Sequence, residues 1–226
     1  MMNCSPRCGK PAPRRGSSRS LPAPLSAIPT LCSSGGNDMK QVSPVLLLCA
    51  LALAACGGSN PARFLPEVAG SVPQQRLRIA TIELRDIVLP AYGSAADILS
   101  EGPDGALKAL KGAEWADNSA EALTADLARR LDLGGTASVA AEPWPLSEPA
   151  DIRLEVRIDR ILAARDGTFR ISGQFAVASP DLRMREFLER FAISVPLTDP
   201  TPAGIAAAYG RALDDLSSRI LLRLAR

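Results

Sequence analysis

The residue with the clearest chemistry in this chain is Cys56, which directly follows an apolar run over residues 45–55. Lys40 precedes the run, two alanines close it, and a Gly-Gly-Ser segment follows the cysteine. The run is shorter than the about 20 apolar residues of a membrane-spanning helix, and its order is typical of a secretory signal peptide. A thiol placed there is a nucleophile available for modification. The alternative is a free cysteine that ends a buried apolar helix.

The four residues that end this segment, Leu53, Ala54, Ala55 and Cys56, resemble the lipobox of bacterial lipoproteins. The resemblance implies that Cys56 receives a diacylglyceryl group, that the signal is cut before it, and that its new amino group is acylated. We therefore expect a covalent lipid on Cys56 and no other cofactor and no metal.

Cleavage before Cys56 changes what the composition implies. It leaves 171 residues, enough for one domain. These carry 20 basic and 23 acidic residues, a net charge of −3 against +2 for the whole chain, so the balance does not indicate a nucleic-acid partner. Four of the five cysteines precede Cys56 and the chain has no histidine. Disulfides, transition-metal sites and histidine-based catalysis therefore lack their usual residues.

The composition also divides the chain. Residues 1–38 are rich in proline, serine and arginine, which predicts an unstructured segment or an extension ahead of a true start at Met39. Residues 39–55 form the signal peptide, and residues 56–75 form the lipidated cysteine with a flexible tether, because glycine and proline recur there. Residues 76–226 form the folded domain.

Hydrophobic periodicity predicts an α+β fold, a mostly antiparallel sheet with two helices packed on one face. The expected strands cover residues 77–84, 98–99, 106–110, 138–141, 152–159, 169–177 and 182–195, the last with a bulge near Glu186, and the expected helices begin at Asn118 and at Thr201-Pro202. Asp166-Gly167 predicts a hairpin between the two best strands.

The last helix carries more leucine than one sheet contact requires. Leu213, Leu221, Leu222 and Leu224 broaden its apolar arc, which is expected to pack on the first helix or on a partner, including a second copy in a homo-oligomer. The charge pairs Arg129-Arg130 and Asp214-Asp215 are expected on solvated helix faces.

Several stretches in order resemble a known family. The lipobox, residues 82–92 (IELRDIVLPAY), residues 114–117 (EWAD) and Pro143-Trp144 ahead of residues 151–156 (DIRLEV) together resemble the PqiC/YmbA-type auxiliary lipoproteins of ABC-type transport systems.

This resemblance implies a non-enzymatic component of a lipid transport system that maintains the cell envelope. Such a protein is anchored in the outer membrane, faces the periplasm, and works with an MCE-type periplasmic protein and an ABC permease and ATPase, with phospholipid as a candidate cargo. Gly57 and Gly58 follow the cysteine where an aspartate would favour the inner membrane, and the chain has no Walker A sequence for ATP hydrolysis.

Tyr92, Trp115 and Trp144 are candidates for partner or lipid contact, because the chain has few aromatic residues. Packing in the core is the alternative. Two other functions stay open: a structural lipoprotein that assists assembly of another envelope protein, and a small periplasmic hydrolase with Asp151 or Asp159 as general base.

Overall fold

The structure is a computed structural model that describes residues 60–67, 74–117 and 120–226. All of them belong to one compact unit, Gly57–Arg226. The described residues form eight strands, two α-helices and one short 3-10 helix. The strands are β1 (Ala62–Phe64), β2 (Thr81–Leu84), β3 (Asp97–Glu101), β4 (Leu107–Trp115), β5 (Ser138–Ala141), β6 (Ile152–Ala164), β7 (Thr168–Ala178) and β8 (Phe187–Pro196); the helices are α1 (Ala120–Gly134), α2 (Pro202–Leu224) and the 3-10 helix Ala91–Ser94.

β6 organises the sheet because it is a long strand that pairs along both edges. β7 runs antiparallel along one edge, and β8 is antiparallel to β7. On the other edge, β2 pairs in parallel with the start of β6 and β3 with its end. β5 extends the sheet beyond β2, whereas β4 and then β1 extend it beyond β3. The sheet is mixed with long antiparallel ladders, and the α+β prediction is confirmed.

The alternation of side chains explains why β6 has one dry face and one wet face. Its even-numbered apolar residues from Ile152 to Ile158 are buried, while the intervening charged residues are exposed. An irregularity between Ile158 and Arg160 shifts the register by one residue, so Ile161 and Ala163 then face the core.

Both helices cover the buried face of the sheet. α1 buries Leu123, Leu127 and Leu131, the residues spaced every fourth position that predicted it. α2 begins as predicted, because the hydroxyl of Thr201 accepts a hydrogen bond from the Gly204 N–H at 3.1 Å and Pro202 opens the helix. Leu213, Leu221 and Leu224 of α2 are at most 1% exposed, whereas Leu222 is 51% exposed. The surplus apolar arc is thus filled mainly by the chain itself and gives little support to a homo-oligomer.

The bulge predicted near Glu186 is wrong. β8 starts only at Phe187, and the preceding residues form a loop. Leu182 lies in this loop in the left-handed region, with φ of 52°, and is 82% exposed. The change in apolar parity therefore marks the end of the loop, not an irregularity within a strand. Similarly, β2 is shorter than the predicted strand over residues 77–84, although Leu77 and Ile79 are buried.

Part of the stretch predicted as a tether pairs with the domain. β1 runs parallel to β4, with Ala62 opposite Ala113, and the Glu67 N–H donates to the Ala206 carbonyl at 3.3 Å. The Gln75 N–H donates to the carbonyl of Gly134, the last residue of α1, and the Gln75 carbonyl accepts a hydrogen bond from the Thr136 N–H. The signal peptide, the lipobox and residues 57–59 and 68–73 lie outside the described residues. Within the described part of the chain, no helix combines the length and apolarity needed to cross a bilayer.

Candidate functional site

Two of the three aromatic candidates meet beside the core. Trp115 is 9% exposed, and its ring packs edge-on against Tyr209 at 5.3 Å. Tyr92 is half-buried, and its hydroxyl accepts a hydrogen bond from the Ile161 N–H at 3.2 Å. Together with Tyr209 they line a cavity of about 30 Å³, which suits a water molecule or two rather than a lipid. Burial raises the pKa of Tyr209, so its phenol stays neutral.

Trp144 lies elsewhere, in the proline-rich loop after β5. Its side chain is half-buried, and its indole N–H donates to the carbonyl of Glu148 at 2.8 Å. This bond closes the loop on itself. Because Trp144 is only half-buried, part of its side chain is accessible to another molecule.

The two carboxylates considered for hydrolysis do not converge. Asp151 accepts hydrogen bonds from the backbone N–H groups of Ala80 and Thr81 at 2.7 and 3.3 Å, and pairs with Arg183 at 3.2 Å. Asp159 is exposed and lies eight residues further along the chain, within β6, or about 26 Å away at the rise of an extended chain. Asp151 thus joins β2 to β6. In residues 60–67, 74–117 and 120–226, no three acidic, histidine or cysteine side chains cluster to hold a metal.

A buried arginine contradicts the expectation of solvated charge pairs. The side chain of Arg130 is 4% exposed and forms salt bridges with Asp126, at 3.0 Å, and with Asp214. It also donates to the carbonyl oxygens of Gly210 at 3.2 Å and of Glu67 at 2.8 Å. The prediction is wrong for Arg130 and Asp214 because both face the contact between α1 and α2. Burial raises the pKa of Asp214, and this outweighs the opposing effect of Arg130.

The same cluster fixes the segment that follows β1. The backbone of Glu67 passes so close to α2 that a Cβ atom on Gly210 would lie 2.2 Å from the Glu67 carbonyl oxygen. Glycine is therefore required there for close approach of two backbones. Arg130, Gly210 and the Ala206 carbonyl hold the segment that connects the predicted anchor to the domain.

A large cationic groove lies at the other end of α2. We call it the arginine groove, and its volume is about 750 Å³. It is lined by Arg78, Ile79, Arg183, Met184, Arg185, Glu186, Phe187, Arg223, Leu224 and Arg226. Ile79 and Leu224 are buried, at 6% and 1% exposure, and Phe187 and Met184 are half-buried, so the floor is apolar.

The arginines outnumber the acids available to neutralise them. Arg183 pairs with Asp151 at 3.2 Å, and Arg223 pairs with Glu189 at 3.2 Å while its guanidinium lies 3.9 Å from the centre of the Phe187 ring. Glu186, the one acid in the lining, accepts a hydrogen bond from the Ser179 N–H.

Three groove arginines, Arg78, Arg185 and Arg226, have no carboxylate within 4.0 Å among the described residues. Sequence patterns do not predict this groove, because its arginines come from three distant segments. The available signal was the spacing of Arg183 and Arg185 around one apolar residue, which alone indicates only a solvated loop.

Comparison with known proteins identifies relatives of the whole fold. Residues 65–221 match the family model described as ABC-type transport auxiliary lipoprotein component. The solved structure of protein XCC0632 from Xanthomonas campestris is 17% identical, with a TM-score of 0.57, over 71% of this chain and 92% of that one. A second, described as an uncharacterized protein, is 14% identical with a TM-score of 0.55, over 69% and 99%. At these identities both show a shared fold alone. No curated protein matches the chain.

Proposed function

Because the chain belongs to the family of ABC-type transport auxiliary lipoprotein components, we propose that it is a non-catalytic subunit of an MCE/ABC-type system that moves lipid between the inner and outer membranes. The observation that carries this proposal is the family match, which covers α1, most of α2 and seven of the eight described strands. The position of Asp151 supports a non-catalytic role, because its carboxylate is used to join two strands.

The proposed anchor is a lipid on Cys56. A cysteine after Leu53, Ala54 and Ala55, ahead of the domain that the family match covers, supports anchoring at the periplasmic face of a membrane. Glycine rather than aspartate after the cysteine favours the outer membrane. In this position the domain contributes to envelope integrity by receiving or docking a partner that carries lipid.

The proposed partners are an MCE-type periplasmic protein and, through it, an ABC permease and ATPase. Of the three aromatic candidates, Trp115 is buried in the core, so an incoming protein reaches Tyr92 or Trp144 first. Both are half-buried, which suits residues that anchor one side of a contact.

Metabolic labelling with radioactive palmitate tests the anchor. We expect the wild-type chain to carry label and to sediment with the outer membrane. Cys56→Ser should lose the label, retain the signal peptide and shift to the inner-membrane fraction, because the thiol that accepts the lipid is absent. The matched control Cys49→Ser removes a thiol from the apolar run and keeps Cys56, so it should carry as much label as the wild type. Label on Cys56→Ser equal to that on the wild type would disprove lipidation at this residue.

Cross-linking in intact cells followed by affinity purification tests the transport assignment. We expect an MCE-type protein, a permease and an ATPase to be recovered with the tagged wild-type chain and not with an unrelated outer-membrane lipoprotein. Recovery of a β-barrel assembly or secretion component in their place would contradict the proposal and favour a role in assembly.

A further inference from the structure

The arginine groove combines two chemistries that rarely lie together on an exposed surface. Five guanidinium groups surround it, and three of them, on Arg78, Arg185 and Arg226, lack a carboxylate partner in the described structure. Guanidinium groups present planar pairs of N–H donors that match the oxygens of phosphate better than a point charge does. The rim of the groove is therefore suited to a phosphate group.

The floor of the groove indicates that its ligand also has an apolar part. Ile79, Phe187 and Leu224 lie below the arginines. The guanidinium of Arg223 covers one face of the Phe187 ring at 3.9 Å, and the half-buried side chains of Phe187 and Met184 supply the accessible apolar surface. The volume of about 750 Å³ lies within the range of about 300–1,000 Å³ found for small-molecule sites. Free phosphate would fill a small part of that volume and leave the apolar floor in contact with water.

The groove lies far from the segment that leads to the anchor. Glu67 contacts α2 at Ala206 and Gly210, whereas Arg223 lies near the C-terminal end of the same helix. Thirteen residues of α-helix separate Gly210 from Arg223, a distance of about 20 Å. The groove is thus separate from the contacts that hold Glu67 against α2.

We propose that the arginine groove binds the headgroup of a phospholipid, with its phosphate between the unpaired arginines and its first acyl carbons on the apolar floor. This assignment rests on the proposed role in lipid transport and specifies the cargo and its site. An acidic segment of a partner protein is the competing occupant, and it matches the charge of the rim but not the apolar floor.

Photo-cross-linking of the full chain in growing cells tests the assignment. The photoreactive residue p-benzoylphenylalanine replaces Phe187 in one variant and Leu188 in the matched control. Phe187 lines the groove, whereas its neighbour Leu188 is 59% exposed and lines a separate depression of about 350 Å³ on the other face of the sheet. Cells are grown in radioactive phosphate, irradiated, and the chain is purified under denaturing conditions. The proposed lipid anchor contains no phosphorus, so label on the protein reports a cross-linked phosphate compound.

We expect label with the probe at Phe187 and not at Leu188, and an adduct mass that includes acyl chains. Replacing two unpaired arginines in the probe variant, Arg78→Gln with Arg185→Gln, should lower the label about tenfold, since each loses charge-assisted hydrogen bonds. The control pair Arg157→Gln with Arg160→Gln removes the same charge from exposed positions on β6 and should leave the label unchanged.

Three results would overturn the proposal: equal label at both probe positions, an adduct without acyl chains, or a cross-link from Phe187 to a polypeptide. The outcome is separable from the proposed function. If the MCE-type protein co-purifies with the wild-type chain while Phe187 captures no phospholipid, the groove assignment fails and the transport role stands. If phospholipid is captured but no transport protein co-purifies, the groove stands and the proposed function fails.

Discussion

The side chain of Arg130 shows how a single cation can be buried without being left unsatisfied. Its guanidinium group offers five N–H donors, and these meet the carboxylates of Asp126 and Asp214 and the carbonyl oxygens of Glu67 and Gly210. The arrangement joins α1, α2 and the segment after β1 at one point. Removing the cation would leave these acceptors in a dry environment, which costs more than the intact cluster contributes.

We predict that Arg130→Ala lowers the free energy of unfolding by about 3–5 kcal/mol, because it leaves Asp214 and two carbonyl groups without their buried partner. Arg129→Ala is the matched control, since Arg129 pairs with the same Asp126 but is half exposed at 42%. It should cost about 1 kcal/mol or less. Urea denaturation of the Gly57–Arg226 unit measures both, and equal losses would refute the role of Arg130.

The pH dependence of stability should report the burial of Asp214. Burial raises the pKa of this carboxyl group above its unfolded value, which is about 3.9. A group with a higher pKa in the folded state binds its proton more tightly there, so its contribution is present below the unfolded pKa and is lost as pH rises through the folded pKa. The difference in unfolding free energy, wild type minus Asp214→Asn, should therefore increase as pH falls from 7 toward 4.

Urea denaturation at several pH values measures this difference, with Asp215→Asn as the control on an exposed position of the same helix. A difference that decreases on acidification would show that the salt bridge with Arg130, rather than burial, dominates the titration of Asp214.

Among the secondary-structure elements, those whose pairing partners are close in sequence could be predicted from the sequence. The alternation from Ile152 to Ile158 and the Asp166-Gly167 turn were enough for the β6–β7 hairpin, because its partners are close in sequence. β1 is only three residues long and pairs with β4 about fifty residues away. A strand this short has no hydrophobic periodicity that would predict it, and the glycine and proline residues around it favour a flexible tether instead. The arginine groove was missed for the same reason.

The contact between Gly210 and Glu67 predicts that Gly210→Ala lowers the stability of the domain, whereas helix propensity alone predicts that it raises it. Alanine is favoured over glycine inside a helix by about 1 kcal/mol, yet its Cβ would lie 2.2 Å from the Glu67 carbonyl oxygen. We expect Gly210→Ala to destabilise the domain by about 1–3 kcal/mol through this overlap. Ser218→Ala, at a half-buried position two turns later in α2, should be neutral or stabilising. A rise in the melting temperature of Gly210→Ala would show that residues 62–67 are not held against α2.

In the molecule as a whole, different features lie at the two ends of α2. The β1 end receives the segment from the predicted anchor, and the far end carries the arginine groove. β1 begins six residues after Cys56, and six residues span at most about 20 Å. The tether predicted over residues 56–75 would have allowed a much longer reach. Pairing of β1 with β4 shortens the stretch that is left to act as a tether to residues 57–61.

Trypsin cleavage of the membrane-bound protein tests this shortened tether. Arg63 is an exposed trypsin site within β1, and Ser59→Arg creates a second site four residues earlier, in the Gly/Ser segment predicted to be a tether. We expect cleavage at the new site to be at least about tenfold faster than at Arg63, because a paired strand must first open locally. Cleavage at the new site should release the intact domain. In Gly210→Ala, cleavage at Arg63 should accelerate, since the clash detaches the segment after β1. If trypsin cleaved the Ser59→Arg protein, with Gly210 unchanged, at the same rate at both sites, β1 would not be held against β4. The flexible tether would then extend over the full predicted range of residues 56–75.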